Sequence, residues 1–349
     1  MSGKSVFIIG PGFIGWNVVD LLVAEGYHVT GLVRREQHAA GIRKSGAQVV
    51  FGDLDDQPLI TKHAANSDIV IHTATADHLA SAEAVLAGVR QRAAGGQSTI
   101  YIHTSGTSLL DDQALGAYKG DKIYTDADAA TIDGLPDTQP HRFVDLAIAR
   151  AAREELGAKA KIAIMIPPEI YGWNESHGRL TIQLPTIARF ALVRGWAGHV
   201  GPGLSVESQI HVKDLARAYV VLLHAMEERE DGAWLRENPY FFCENGSEFS
   251  WKEVAEKVAE SLVKAGRLQK PEVRSFERED WDQLFAAGTG PAIGLNSRSR
   301  AVRLRELGWA PREKSIWESW EEDELPAVLR EWDARPEGER TSAYTMRVV

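Results

Sequence analysis

Near the N-terminus an apolar run, Phe7-Ile8-Ile9, breaks into Gly10-Pro11-Gly12-Phe13-Ile14-Gly15, with glycines spaced G-x-G-x-x-G. In such a turn the first glycine permits a tight reversal and the second lets backbone approach a pyrophosphate. The third lets the following helix pack on the strand, and the helix N-terminus adds positive potential. The spacing alone is common. Here it follows a strand pattern, opens a helix pattern over Trp16 to Glu25 that Gly26 stops, and leads into a second strand pattern over His28 to Val33. Strand, glycine turn, helix and strand together predict a dinucleotide site around Gly10, Gly12, Phe13, Ile14 and Gly15.

Short apolar or β-branched runs recur at Gln48 to Phe51, Asp68 to Thr73, Thr99 to Thr104 and Lys161 to Ile166, with helical stretches between them at His78 to Ala93 and Phe143 to Leu156. This alternation predicts an α/β fold, a doubly wound parallel Rossmann sheet. Beyond Pro167 and Pro168 it dissolves into loops and scattered helices, and six of the ten tryptophans follow Gly246. The expected organisation is a cofactor-binding domain over 1–166 plus 209–243 and a smaller C-terminal substrate lobe over 167–208 plus 244–349. A length of 349 residues accommodates both.

A net charge of −10 argues against nucleic acid or an anionic membrane as partner. The single cysteine, Cys243, excludes an intrachain disulfide and, with no signal-like N-terminus, favours a reducing, cytoplasmic setting. No apolar run approaches the ~18 residues of a membrane span. No cluster has metal-ligand spacing, so no metal is assigned.

Ligands of doubly wound sheets lie beyond the carboxyl ends of the strands. Where a carboxylate after the second strand would select NAD, this chain has Arg34 and Arg35, whose guanidiniums suit a 2′-phosphate and predict NADP. Asp53 and Leu54 follow the third strand and suit the adenine; Thr73 and Ala74 follow the fourth and are small enough for a cofactor to pass. Thr104 and Ser105 end the fifth, where nicotinamide and substrate meet.

The chain resembles the extended and atypical short-chain dehydrogenase/reductases, the epimerase/dehydratase-like group. The resemblance rests on the glycine turn, Asp53-Leu54, Pro167-Pro168-Glu169-Ile170-Tyr171-Gly172 and Ile210-His211-Val212-Lys213-Asp214-Leu215-Ala216. It implies that Pro167 and Ile170 touch cofactor, that Tyr171 and Trp173 face the pocket with core packing an equal alternative, and that two protomers pair through the helices His78 to Ala93 and Phe143 to Leu156. Ala147, Ala151 and Ala152 would allow their close approach. His211 and Asp214 are expected to cap the helix from Lys213 to Glu228, and Trp317, Trp320 and Trp332 to pack between lobes.

Two departures stand out. The turn is one residue shorter than the group's usual G-x-x-G-x-x-G. Of the Ser, Tyr and Lys that the family uses, Ser105 fits the serine, whereas the Tyr-x-x-x-Lys positions hold His141 and Asp145. An imidazole moves protons readily, and a carboxylate one helical turn on is within reach to orient it. Tyr118 and Lys122 offer a competing Y-x-x-x-K pair, but loop formers follow them. The expectation is an NADP(H)-dependent oxidoreductase acting on a carbonyl of a small or medium organic molecule. The alternatives are a non-catalytic NADP-binding regulator and an epimerase or dehydratase that retains its cofactor.

Overall fold

A computed structural model of the chain describes residues 3–344. The first half builds β1 (Ser5–Ile9), α1 (Phe13–Ala24), β2 (His28–Val33), α2 (Glu36–Lys44), β3 (Gln48–Phe51), α3 (Gln57–Ala65), β4 (Ile69–His72), α4 (Leu79–Ala94) and β5 (Thr99–Thr104). There follow α5 (Arg142–Arg150), β6 (Ala160–Ile166), β7 (Glu169–Tyr171), α6 (Gln183–Arg194), β8 (Val206–His211), α7 (Val212–Glu228), β9 (Tyr240–Phe242), β10 (Glu248–Ser250) and α8 (Trp251–Lys264).

Seven strands form one parallel sheet in the order β9-β6-β5-β4-β1-β2-β3. Its central strands read as unbroken apolar runs because helices cover both faces; Ile69, Val70 and Ile71 are all buried. The strand order reverses between β1 and β4, and a crevice opens there beyond their carboxyl ends. β9, three residues without a pattern of its own, is a strand that the sequence reading leaves unassigned. Helix α1 starts at Phe13 rather than Trp16 because Gly12 already serves as its N-cap. Asp68 lies outside β4: its carboxylate accepts the backbone N–H of Ser5 at 2.9 Å instead.

The outer helices are less available than expected. α3 packs on α4 so closely that a Cβ on Gly88 would lie 2.6 Å from the Ala64 methyl. The remaining outward positions of α4 include Glu83, Arg90 and Gln91, and Arg90 Nε donates to Glu155 at 2.9 Å. α5 stops at Arg150 and continues as a wide π turn over Ala151–Leu156, ended by Gly157 at φ 54°. Ala151 and Ala152 are buried inside the chain, which leaves Phe143 as the large exposed apolar side chain of this face.

A second core gathers Leu184, Phe190, Trp251, Val258, Trp320 and Val328. Trp320 donates to Ser261 Oγ at 2.9 Å, and Trp317 packs against the same cluster. Both therefore fill the second core, a correction to their expected place between lobes. β10-β8-β7 form a small sheet beside it. Among the described residues no helix is long and apolar enough to cross a membrane, and no three acidic, His or Cys side chains group as metal ligands.

Candidate active site

The glycine turn is built as its spacing requires. Gly10 has φ 82°, and a Cβ there would lie 2.6 Å from the Ala74 backbone. At Gly15 a Cβ would lie 2.3 Å from Thr73 Oγ1 and 2.5 Å from the Gly10 carbonyl. Thr73 Oγ1 donates to that carbonyl at 2.8 Å, so Thr73 and Ala74 brace the turn from the next strand. Gly12 differs: the nearest atom to its Cβ position is 3.9 Å away. Its side is open, and no side chain caps the N–H groups of α1. The open side of Gly12 and the uncapped N–H groups of α1 leave a cradle whose chemistry suits an anionic group such as a pyrophosphate.

Those contacts separate two substitutions. Gly15→Ala is expected to destabilise the fold by roughly 1–3 kcal/mol, because neither obstructing atom ends a flexible chain. Gly12→Ala has room in the protein and is expected to melt like the wild type while binding dinucleotide about tenfold or more weakly. Thermal unfolding and a cofactor titration on both variants check the contrast.

At the end of β2, Arg34 and Arg35 are exposed, and Arg35 is the N-cap of α2. Among the described residues neither has an ion-pair partner; the adjacent Glu36 is taken by Arg43. Asp53, at the end of β3, accepts the Asp55 N–H at 2.9 Å, and Leu54 beside it is half-buried. The Pro167 carbonyl accepts the Thr107 N–H at 3.0 Å, and Ile170 is half-buried.

Beyond β5 the polar side chains pair differently from the sequence expectation. His141 lies just before α5, not in it, with a left-handed backbone at φ 67°. The i, i+4 geometry that would bring Asp145 to it therefore does not apply. His141 Nδ1 meets Asp77 Oδ1 at 2.7 Å, and Nε2 meets Ser108 Oγ at 2.6 Å. Asp145 instead accepts the Ser105 hydroxyl at 2.7 Å, fully buried beneath the helix. Burial pushes its carboxyl up to about 7 against the lowering effect of the Ser105 bond, and its second oxygen has no partner. The His141 bond holds the Asp77 carboxyl below its ordinary range. Gly106 leaves room for the imidazole: a Cβ there would lie 3.2 Å from Nε2.

Hydroxyl on Nε2 and carboxylate on Nδ1 is the order of contacts by which Ser-His-Asp sets hold an imidazole in one tautomer. A left-handed, non-glycine backbone costs of order 1–3 kcal/mol and concentrates at functional sites. Asp77 and Ser108 were missed in the sequence because they approach His141 from 64 and 33 residues away. The only signal for them was their position after β4 and β5.

Residues 10–133 match the protein family described as NAD(P)H-binding. The chain is 31% identical to the oxidase ucsJ of Acremonium sp over 341 residues, covering 88% of this chain and 93% of the relative. It belongs to the extended short-chain dehydrogenase/reductase superfamily. An uncharacterised protein of Saccharomyces cerevisiae, YLL056C, is 25% identical over 90% of this chain and 96% of its own length. In fold the chain is similar to the UDP-glucose 4-epimerase of Thermotoga maritima, with TM-score 0.65 at 16% identity over 94% of this chain and 99% of that one. It is also similar to the yeast methylglyoxal/isovaleraldehyde reductase Gre2 complexed with NADPH, with TM-score 0.58 at 19% identity over 93% and 98%.

In this short-chain dehydrogenase/reductase the competing Tyr118 and Lys122 pair is not assembled. Residues 111–123 form no helix, Tyr118 is exposed with its hydroxyl 3.4 Å from the Asp112 carbonyl, and Lys122 lies over the Tyr124 ring. Two expected substrate residues also turn inward. Thr104 Oγ1 is buried and bonds the Tyr219 hydroxyl on α7 at 2.5 Å. The buried Tyr171 hydroxyl donates to the Lys314 carbonyl at 2.8 Å and accepts from Asn245 at 3.0 Å. Trp173 lines two cavities, of about 330 and 670 Å³. His211 caps α7 through the Lys213 N–H at 3.1 Å, and the Asp214 carboxylate accepts the N–H groups of Arg312 and Glu313.

Proposed function

We propose that the protein is an NADP(H)-dependent oxidoreductase that reduces a carbonyl of a small or medium organic molecule. The observation that supports this reading is His141 held between Asp77 and Ser108, with Ser108 only three residues past Ser105 beyond the carboxyl end of β5. Bound NADPH would supply the hydride. Gly10, Gly12, Phe13, Ile14, Gly15, Thr73 and Ala74 would hold its pyrophosphate side. Asp53, Leu54, Pro167 and Ile170 would flank the rest.

Both nitrogens of His141 are engaged, so the proton leaves through Ser108. In the charged imidazolium Nε2–H donates to Ser108 Oγ, which frees the Ser108 hydroxyl to donate to the substrate oxygen. After transfer that hydroxyl takes the Nε2 proton, leaving a neutral imidazole still anchored to Asp77 through Nδ1–H. Ser105 orients the carbonyl, and Asp145 sets which way its hydroxyl points.

Cofactor fluorescence titration followed by NADPH oxidation over a carbonyl panel tests the reading. Binding without turnover across the panel would favour the regulator, and cofactor surviving purification the epimerase or dehydratase. Arg34→Ala is expected to weaken NADPH roughly tenfold to a hundredfold, about 1.5–3 kcal/mol for one charge-assisted contact, and to leave NADH nearly untouched. Equal weakening of both would remove the NADP preference. The homodimer implied by the family resemblance rests here on Phe143 and is tested by light scattering.

A further inference from the structure

We propose that Arg179, from the segment after β7, is a third ligand of the phosphomonoester that Arg34 and Arg35 bind, so that the 2′-phosphate of NADP ties this segment to the cofactor domain. The inference rests on the NADP reading above and extends it to a residue outside the sheet.

Asn174 and Arg179 pair across a short antiparallel bridge, with Gly178 at φ 63° between them. This hairpin lies along α1. Asn174 Nδ2 donates to Asn17 Oδ1 at 2.8 Å, and His177 Nε2 meets Asp20 Oδ2 at 2.7 Å. The His177 ring stacks on Trp16 with centroids 4.3 Å apart and planes at 14°. The hairpin therefore holds Arg179 in place, its guanidinium carbon 5.7 Å from the centre of a Trp16 ring. A cavity of about 670 Å³ opens between the two segments, lined by Phe13, Trp16, Arg35, His38, His177 and Arg179.

The cavity is short of anions. Among the described residues no carboxylate pairs with Arg34, Arg35 or Arg179. Glu331, which also lines it, is engaged by Arg189 and Arg335, and Asp20 is engaged by His177. The cations feel one another: burial, then the charge of Arg35, lowers the Arg179 guanidinium. Burial followed by Arg179, Arg35 and Arg34 pushes His38 down to about 4. A half-buried guanidinium held without a counterion beside other cations opposes folding unless an anion enters. A phosphomonoester dianion suits it, because planar donors grip phosphate oxygens and two negative charges offset several guanidiniums. The hairpin begins just past Trp173, so phosphate binding also fixes the segment that borders the substrate side.

The full-length chain is compared with Arg179→Gln, Arg179→Lys and Arg34→Ala by fluorescence titration with NADP⁺ and NAD⁺, and by thermal unfolding with 2′,5′-ADP, 5′-AMP or inorganic phosphate. Arg179→Gln is expected to melt at or above the wild-type temperature without ligand, because it removes an unpaired cation. It is expected to bind NADP⁺ roughly tenfold to a hundredfold more weakly with NAD⁺ unchanged, and to lose most of the 2′,5′-ADP shift. Arg179→Lys, which keeps charge without the planar fork, is expected to recover part of both. Full NADP⁺ affinity in Arg179→Gln alongside weakened Arg34→Ala would overturn this inference and leave the NADP reading standing. No NADP⁺ preference in the wild type and no effect of Arg34→Ala would overturn the NADP reading itself. An Arg179-dependent shift as large with inorganic phosphate or 5′-AMP as with 2′,5′-ADP would assign the cluster to a free or 5′-phosphate and overturn the 2′-phosphate assignment.

Discussion

His141→Ala is expected to lower kcat for carbonyl reduction by about a hundredfold to ten-thousandfold while NADPH affinity stays at the wild-type level, the range that general acid–base groups contribute. The imidazole is tied to Asp77 and Ser108, not to the glycine turn or the arginines, so its loss removes proton delivery and leaves the cofactor cradle intact. Ser108→Ala is expected to fall nearly as far, since no hydroxyl then relays the proton, with Ser108→Thr recovering part. Asp77→Asn is expected to fall less, because an amide oxygen still accepts the Nδ1–H. Tyr118→Phe is expected to be silent. Steady-state kinetics on the five variants, with binding measured separately, reads the pattern. Full activity in His141→Ala would exclude the relay, and loss of turnover in Tyr118→Phe would restore the competing pair.

Asp145 adds a pH limb to that reaction. As a carboxylate it holds the Ser105 hydroxyl proton; as an acid it donates to Ser105 and frees that proton to point at the substrate oxygen. With its carboxyl pushed up to about 7 by burial, reduction is expected to slow as pH rises through neutrality. Asp145→Asn, which cannot ionise, is expected to erase that limb, and a pH–rate profile identical to the wild type would take Asp145 out of the reaction.

The fold was legible because its signals are local and repeated. β2, β3 and β5 begin and end where their apolar runs do, and Gly10, Gly12 and Gly15 each meet a different constraint that their spacing already encodes. The unpaired Arg34 and Arg35 likewise follow from where β2 stops. The reacting centre was legible only in part. Ser105 and His141 mark the two halves of a site, but the partners of each depend on contacts across 33 to 64 residues. Helical spacing paired His141 with Asp145, and a left-handed backbone one residue ahead of the helix undid that pairing. Thr104 and Tyr171 show the same limit: position at a strand end places a residue near the crevice, while its hydrogen bond to Tyr219 or Lys314 decides whether it faces in. Arg179 had no signal in the sequence, because what makes it notable is the anion it lacks.

The contribution of three carboxyls buried together to folding stability is expected to fall by several kcal/mol as pH rises from about 4.5 to about 8. It runs against the opposite trend below about 6.5 of His38, His72, His103 and His211, which burial holds below the ordinary imidazole range. Glu169 on β7, Glu207 on β8 and Glu324 are fully enclosed. Neither oxygen of Glu169 has a hydrogen-bond partner, Glu207 accepts the Trp251 indole N–H at 2.8 Å, and Glu324 accepts the Ser319 hydroxyl at 3.0 Å. Burial raises Glu169 well above the usual range, Glu207 to about 8 and Glu324 to about 7, with Glu207 and Glu324 repelling charge on Glu169. The folded chain thus keeps protons that the unfolded chain releases near pH 4.5. Their contribution is full below that pH, declines while only the unfolded state ionises, and levels off once the folded carboxyls ionise too. Glu207→Gln keeps an acceptor for Trp251 without an ionisable group, so it should be close to wild type at pH 5 and more stable at pH 8. Glu169→Gln is the harsher case, because its amide hydrogens enter a place with no acceptor. Urea unfolding of the wild type and Glu207→Gln at pH 5, 6.5 and 8 isolates the carboxyl contribution: a stability difference between the two that does not change with pH would mean that Glu207 ionises at its ordinary value and reaches water when it does.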